Sequence, residues 1–307
     1  MRGCPAEPGV RIDAAVASAA DSLALVSESP RLDAELLLAR ALDLPRSYLY
    51  AHPEDILDDA AAARFFTAVE QRLKGLPLAY ITGEKEFWSL VLAIGPGALV
   101  PRPETELLVE LALRRMPRRS ELSVLDLGTG SGAIAIALAS ERPACRIVAT
   151  DVSAAALLIA KHNAAKHGLG NIEFIEGDWT TPLADRLFDL IVSNPPYVRA
   201  DDPALDELRF EPKVALASGS DGLDAIRALA RDCRRLLMPS GALILEHGSE
   251  QRDEVARILA AKGWTEIECV SDLAGCPRVT TATIESGLMQ NRPSTYTVTL
   301  SRNRDTK

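Results

Sequence analysis

The chain has 307 residues, enough for one large domain or two unequal domains with a full hydrophobic core. Hydrophobic residues make up 47% of it and charged residues 25%, which is typical of a soluble globular protein. The net charge of −9 argues against nucleic acid as a direct partner, because proteins that bind a phosphate backbone usually carry a basic surface.

The cysteines and the apolar runs predict a cytoplasmic protein with no membrane partner. The start of the chain lacks the compact apolar run of a signal peptide, and no apolar run reaches the ~18 residues of a membrane span. No cysteine belongs to a CxxC pair or has a histidine at metal-ligand spacing, so we expect no metal site. An odd number of cysteines favours a reducing compartment. They are Cys4, Cys145, Cys233, Cys269 and Cys276.

Residues 1–85 predict a small helical domain. The segments "RLDAELLLARALDL" and "DDAAAARFFTAVEQRLKGLP" both carry apolar side chains at helical spacing. This domain is either a plain helix bundle or a docking module for a partner protein. The expected buried stripes are Leu32, Leu36, Leu37 and Ala41 in the first helix and Phe65, Phe66, Val69 and Leu73 in the second.

The pattern changes in "AYITGEKEFWSLVLAIGPGALVPRP", where β-branched and aromatic residues alternate with polar ones. We expect a β-hairpin over residues 86–100 that links two domains. A helix restarts in "RPETELLVELALRRM", with Glu104 and Glu106 in its first turn, where the helix dipole favours acidic side chains.

The second expected domain spans residues 101–286, and from residue 122 it alternates regularly between apolar strands and helices. This alternation predicts a doubly wound, mainly parallel α/β sheet, flanked by helices on both faces. The polar segment 287–307 has no apolar face and predicts a loose tail. The strand segments are "SVLDLG", "RIVATD", "IEFIEGD", "LFDLIVSN", "GALILEHG", "TEIECV" and "RVTTATIE".

Ligands of such sheets bind beyond the carboxyl ends of the strands. The loop "DLGTGSG" follows the first strand, and its glycines at 128, 130 and 132 allow a tight turn and a close approach to a ligand at a helix N-terminus. A glycine loop alone is weak evidence, since dinucleotide-binding folds use a similar one. Asp126 would oppose a pyrophosphate but suits a cationic amino group, which favours S-adenosylmethionine over NAD.

Two further strand ends carry groups that suit a nucleoside. Asp151 can accept hydrogen bonds from both ribose hydroxyls, although it could equally cap the following helix. Asp178 can accept the exocyclic amine of adenine, and Trp179 can stack on the ring or simply pack in the core.

The segment "NPPY", residues 194–197, ends the fourth strand beside the glycine loop. Two prolines fix the backbone there, so that the Asn194 side-chain carbonyl and the Pro195 backbone carbonyl are held as acceptors. Such acceptors orient a planar amide or amine nitrogen for methylation. Tyr197 adds an aromatic wall, while Pro196 stiffens the turn. No histidine is placed as an essential base.

Several segments together resemble the PrmC/HemK family, the peptide chain release factor glutamine methyltransferases. They are "PLAYITGEKEFW", "LVPRPETELLVE", "VLDLGTGSGAIAIALA", "SNPPYV" and "EPKVALASGSDGLDAIRAL". The resemblance extends from about Leu32 to Thr283. It implies a class I S-adenosylmethionine-dependent methyltransferase fold and methylation of the side-chain amide of the glutamine in the GGQ motif of class I release factors.

The resemblance also implies roles for individual residues. The donor is expected at the loop Gly128, Thr129, Gly130, Ser131 and Gly132, and at Asp151, Trp179 and Asn194. The glutamine is expected at Asn194, Pro195, Pro196 and Tyr197, with the helical domain helping to embrace the release factor. Phe87 either walls the glutamine pocket or packs in the core. Arg102, Glu104 and Thr105 are expected to brace the hairpin against the donor pocket.

Two other functions remain open at this point. A DNA adenine methyltransferase could use the same "NPPY" on a flipped base, but it should carry a basic groove and a target-reading domain. A non-catalytic module could keep the fold and only dock partners, but it would not need the glycines, Asp151 and "NPPY" together. A monomeric enzyme is the expectation.

Overall fold

The computed structural model of the protein describes residues 9–184 and 186–284. The predicted tail and Cys4 lie outside the described residues. The other four cysteines carry free thiols. Among the described residues, no helix combines the length and apolar character needed to span a membrane.

Between residues 9 and 85, five helices surround a core of their own. The second begins with Pro30 at its first turn, where proline costs no hydrogen bond, and ends at Asp43 in a left-handed conformation. The fourth begins where the Asp58 side chain accepts a hydrogen bond from the Ala61 N–H. The helices are α1 (Ile12–Leu23), α2 (Pro30–Leu42), α3 (Arg46–Ala51), α4 (Asp59–Leu73) and α5 (Leu78–Thr82).

The predicted apolar stripes are half right. Leu37, Ala41, Phe65 and Val69 are buried, whereas Leu32, Phe66 and Leu73 are exposed and Leu36 is half-buried. The reason is that α2 contacts α1 as well as α4, so its buried arc turns towards Ala34 and Leu38. Leu32 and Leu36 instead line a cleft of about 750 Å³ that the hairpin residues 84–86 also border.

A two-stranded hairpin follows, formed by β1 (Glu84–Phe87) and β2 (Leu90–Ala93) in antiparallel pairing. Its strands begin two residues before the predicted start of the linker. The turn residues Trp88 and Ser89 have φ values of 52° and 57°, the left-handed geometry that usually selects Asn-Gly. The Glu106 carboxylate accepts a hydrogen bond from the Trp88 N–H at 2.8 Å and stabilises this strained turn.

The rest of the described chain alternates between strands and helices. The strands are β3 (Ser123–Leu127), β4 (Arg146–Asp151), β5 (Ile172–Glu176), β6 (Phe188–Ser193), β7 (Leu237–Glu246), β8 (Thr265–Ser271) and β9 (Pro277–Thr283). The helices are α6 (Glu106–Arg115), α7 (Ala133–Glu141), α8 (Ala154–Lys166), α9 (Ala204–Glu207), α10 (Asp224–Asp232) and α11 (Arg252–Ala261).

These seven strands form one sheet in the order β5-β4-β3-β6-β7-β9-β8, parallel except for β9. Helices α6 and α7 cover one face and α10 and α11 the other, which leaves the central strands buried on both sides. This architecture confirms the predicted doubly wound, mainly parallel sheet. Because β3 and β6 are neighbours, the loops that follow them meet at the same edge.

Candidate functional site

The loop after β3 is a tight left-handed turn, and two of its N–H groups are bound by the neighbouring strand β4. Gly128, Gly130 and Gly132 have φ values of 73°, 57° and 84°. The N–H groups of Gly128 and Thr129 both donate to the Thr150 carbonyl at 2.9 Å. A Cβ added at Gly130 would meet no atom within 4 Å, so the backbone there faces open space. The loop is therefore a cradle open to a ligand.

Asp126 lies beneath this loop and is fully buried. Its Oδ2 accepts hydrogen bonds from the Thr129 hydroxyl at 2.6 Å and the Ala135 N–H at 3.2 Å, while Oδ1 has no partner among the described residues. Burial raises the pKa of this carboxyl to about 7. Among the described residues Oδ1 is left without a partner, which a cationic ligand group would supply.

Asp151 lies at the end of β4 and binds the glycine loop. Its Oδ2 accepts from the Gly130 N–H and its Oδ1 from the Ser153 N–H, both at 2.8 Å. Ser153, not Asp151, caps α8 by accepting from the Ala156 N–H. Each Asp151 oxygen keeps a second lone pair for a ligand.

Asp178 and Trp179 lie just beyond β5. The Asp178 side chain is exposed, and Trp179 is half-buried with a φ of 44°. The Trp179 ring covers Gly128, since a Cβ there would lie 3.4 Å from its Cζ3 atom. This places the ring against the glycine loop and against the core on the sheet face that α10 and α11 cover.

The "NPPY" segment follows β6 directly beside the loop. The Ser193 hydroxyl donates to the Leu127 carbonyl at 2.7 Å and ties the two strand ends together. Asn194 is half-buried, and its Nδ2 donates to the Thr105 hydroxyl at 3.2 Å. Thr105 is thus a direct neighbour of the motif.

Tyr197 is held from both ends. The Gln251 Nε2 donates to its backbone carbonyl at 3.0 Å, and its hydroxyl donates to Glu246 Oε1 at 3.5 Å. Burial, with the Glu246 carboxylate next, raises the pKa of Tyr197 to about 12. Tyr197 is therefore a neutral, partly buried aromatic surface at any physiological pH.

The sequence reasoning missed Asn163 of α8, a fully buried side chain that joins three elements. Its amide accepts from the Ala93 N–H at 2.7 Å and donates to the Ala93 and Ser131 carbonyls, both at 3.0 Å. A lone Asn in a helix gives no sequence signal for this role. Asn163 and Glu106 both hydrogen-bond to the hairpin backbone, and the bracing expected of Arg102, Glu104 and Thr105 stays a prediction.

The structure also places three further residues that the sequence made notable. Phe87 is 2% exposed and belongs to the core, which favours core packing; contact with a bound glutamine stays a prediction. Arg102 pairs with buried Glu211 of the "EPK" segment. His247 is fully buried between the Gly248 carbonyl and Thr280, and burial lowers its pKa.

The sheet order, the glycine loop after β3 and the motif after β6 define the class I S-adenosylmethionine-dependent methyltransferase fold. Two solved structures share the fold. A methyltransferase from Pyrococcus furiosus is 17% identical with a TM-score of 0.51, covering 70% of this chain and 97% of that chain. The hMettl16 catalytic domain is 15% identical with a TM-score of 0.52, covering 76% and 84%.

Sequence comparison identifies the family. The PrmC N-terminal domain matches residues 14–83, and the methyltransferase small domain matches residues 104–209. The chain is 46% identical over 271 residues to the release factor glutamine methyltransferase of Coxiella burnetii, covering 88% of this chain and 98% of that protein. It is 42% identical over 256 residues to that of Escherichia coli, covering 83% and 92%. The chain belongs to the release factor glutamine methyltransferase family.

Proposed function

We propose that this protein transfers a methyl group from S-adenosylmethionine to the side-chain amide of the GGQ glutamine in class I release factors. The observation that carries this function is the meeting of the glycine loop and "NPPY" at neighbouring strand ends, joined by the hydrogen bond from Ser193 to Leu127. Family membership supports the same reaction, since its relatives are named release factor glutamine methyltransferases.

The residues at the glycine loop fit the donor. Gly128, Thr129, Gly130, Ser131 and Gly132 would form its cradle, because the open space over Gly130 admits close approach of a ligand. The unpartnered oxygen of Asp126 would favour the cationic amino acid end. The nucleoside would lie towards Asp151, Asp178 and Trp179, where acceptor lone pairs and a ring face are available. When bound, the donor supplies a methyl group made electrophilic by its sulfonium.

The "NPPY" residues would hold the glutamine. With Nδ2 of Asn194 bound to Thr105, its Oδ1 is left as an acceptor for one amide N–H, and the Pro195 carbonyl accepts the other. These two bonds point the nitrogen lone pair towards the methyl carbon and favour a pyramidal nitrogen. Pro196 fixes the turn and Tyr197 packs on the planar amide. The released proton passes to water.

The remaining parts of the chain fit a protein substrate. We propose that residues 1–85 dock the release factor and that the hairpin joins them to the catalytic domain that begins at about residue 101. The cleft of about 750 Å³ between helices and hairpin offers a surface for such docking. The enzyme would act as a monomer in the cytoplasm, where release factors meet the ribosome.

Labelled S-adenosylmethionine tests the proposal most simply. The protein is incubated with a class I release factor, with a variant factor whose GGQ glutamine is alanine, and with duplex DNA in parallel. We expect label on the wild-type factor alone. Label on DNA alone would overturn the proposal in favour of a base methyltransferase, and label on the alanine variant would overturn the choice of target residue.

A further inference from the structure

Glu246 is a buried carboxylate beside the "NPPY" motif that the proposed mechanism does not use. It is the last residue of β7 and only 1% exposed. Because Leu245 pairs with Ser193 across the parallel strands, Glu246 lies level with Asn194 on the same side of the sheet. A carboxylate in this position costs free energy unless its contacts offset the loss of hydration.

Its contacts leave that cost only partly offset. Oε1 accepts from the Tyr197 hydroxyl at a long 3.5 Å, and Oε2 is buried without a hydrogen-bond partner among the described residues. The Thr105 hydroxyl lies close to this carboxyl group and favours its ionised form. A structural carboxylate would be better satisfied, which indicates a role at the site.

The role follows from the donor and acceptor capacity of Thr105. A hydroxyl has one hydrogen. If Thr105 donates it to the Glu246 carboxylate, its oxygen can only accept on the Asn194 side. Asn194 must then present Nδ2 to Thr105, as observed at 3.2 Å, and its Oδ1 is left free. Without the carboxylate, Thr105 could donate to Oδ1, and the Asn194 amide would turn over.

We propose that Glu246 is a positioning residue that, through Thr105, fixes the Asn194 amide with its carbonyl oxygen towards the substrate nitrogen. This inference rests on the proposed function, because it assigns Glu246 to the same methyl transfer. It requires the ionised carboxylate. A protonated Glu246 could donate to the Thr105 oxygen, and Thr105 could then donate its own hydrogen to Asn194 Oδ1.

Burial and the charged and polar groups around Glu246 set the pH at which its carboxyl group ionises. Burial raises the pKa of Glu246 to about 7, and Glu104 adds to this, whereas Thr105, Arg278 and Tyr197 act to lower it. Under saturating donor, kcat should therefore fall as the pH drops below about 7, because the protonated fraction grows. Asp126 also has a raised pKa, but its protonation should act on the KM for the donor.

The test compares single-turnover methylation of a release factor by the wild type, Glu246→Gln, Thr105→Val and Thr105→Ser. Glu268→Gln, an exposed carboxylate on β8, is the matched control. We expect Glu246→Gln and Thr105→Val each to lose about 10- to 100-fold in rate, with donor Kd unchanged. Thr105→Ser and Glu268→Gln should keep the rate. The double variant should lose no more than either single one, and Glu246→Gln should lose the pH dependence of kcat.

Two results would overturn the inference while the wild type still methylates the factor. One is a wild-type rate and pH profile in Glu246→Gln; the other is independent, multiplying losses in Thr105→Val and Glu246→Gln. If Glu246→Gln does not fold, the Val and Ser variants of Thr105 decide on their own. A wild type that binds the donor but does not methylate the factor would overturn the proposed function itself.

Discussion

The side-chain amide of Asn163 donates a hydrogen bond to the Ser131 carbonyl at 3.0 Å, which links α8 to the glycine loop. The same amide makes two bonds with Ala93 of the hairpin. The hairpin and the donor loop are thus joined through one buried side chain. A disturbance of the hairpin should therefore reach the donor site.

Asn163→Ala tests this link. The substitution leaves the Ala93 N–H and two carbonyls without partners in a buried place, so we expect a loss of roughly 3 kcal/mol in the free energy of unfolding. We also expect weaker donor binding. Urea unfolding and calorimetric titration measure the two effects, with His162→Ala on the exposed side of the same helix as control. Unchanged donor affinity would show that the hairpin does not support the loop.

The glycines of the donor loop should differ in what they tolerate. Gly130→Ala adds only the strain of a left-handed φ, about 1–2 kcal/mol, because its Cβ meets nothing in the protein. Gly132→Ala adds a clash as well, since its Cβ would lie 2.9 Å from Ile136 Cδ1 and 3.3 Å from the Ala160 Cα.

We therefore expect Gly132→Ala to lose clearly more stability in urea unfolding, and Gly130→Ala to lose mainly donor affinity by calorimetry. If Gly130→Ala binds S-adenosylmethionine as tightly as the wild type, the open space above Gly130 is not the donor cradle.

Donor binding should release a proton below neutral pH. Burial raises the pKa of Asp126 to about 7, and a cationic amino group nearby would favour its ionised form. The donor Kd should then rise up to about tenfold for each pH unit below about 7. Titration calorimetry in two buffers of different ionisation enthalpy measures the proton release. Asp126→Asn should show none, and a wild type without proton release would speak against the contact.

The pH dependence of the free energy of unfolding should reflect the titration of Glu246. Its folded pKa is about 7, whereas an unfolded Glu titrates at about 4.3. Between these values the folded state binds more protons, so this group's contribution to the unfolding free energy is present at low pH and falls as the pH rises. Relative to the wild type, Glu246→Gln should gain at most about 1.4 kcal/mol per pH unit between about pH 5 and about pH 7.

Urea unfolding at several pH values measures this difference, with Glu268→Gln as the exposed control. Parallel curves for wild type and Glu246→Gln would mean that Glu246 titrates normally in the folded protein.

Much of this fold could be predicted because its signals are local in the sequence. Apolar runs such as "RIVATD" and the glycines at 128, 130 and 132 specify a strand and a turn by residue type alone, and β4 has the predicted bounds. The prolines after Asn194 mark a strand end for the same reason. Such features depend on backbone preferences and not on distant partners.

The contacts that shape the site depend on partners far apart in the chain. Asn163 and Ser131 are 32 positions apart, and Asn194 and Thr105 are 89 apart. No spacing rule connects them. The turn at Trp88 and Ser89 lacks the glycine that signals such a geometry, and Glu106 of helix α6 supplies the stabilising bond instead. Likewise, Phe66 and Leu73 were predicted to be buried but are exposed, because the sequence does not show which helices pack together.

The central claim is that "NPPY" orients the substrate nitrogen while the glycine loop holds the donor. The most direct test is single-turnover methylation of a class I release factor by wild type and Asn194→Ala, together with donor titration of both. We expect Asn194→Ala to lose most of the methyl-transfer rate while its Kd for S-adenosylmethionine stays within about twofold. An unchanged single-turnover rate in Asn194→Ala would contradict the claim.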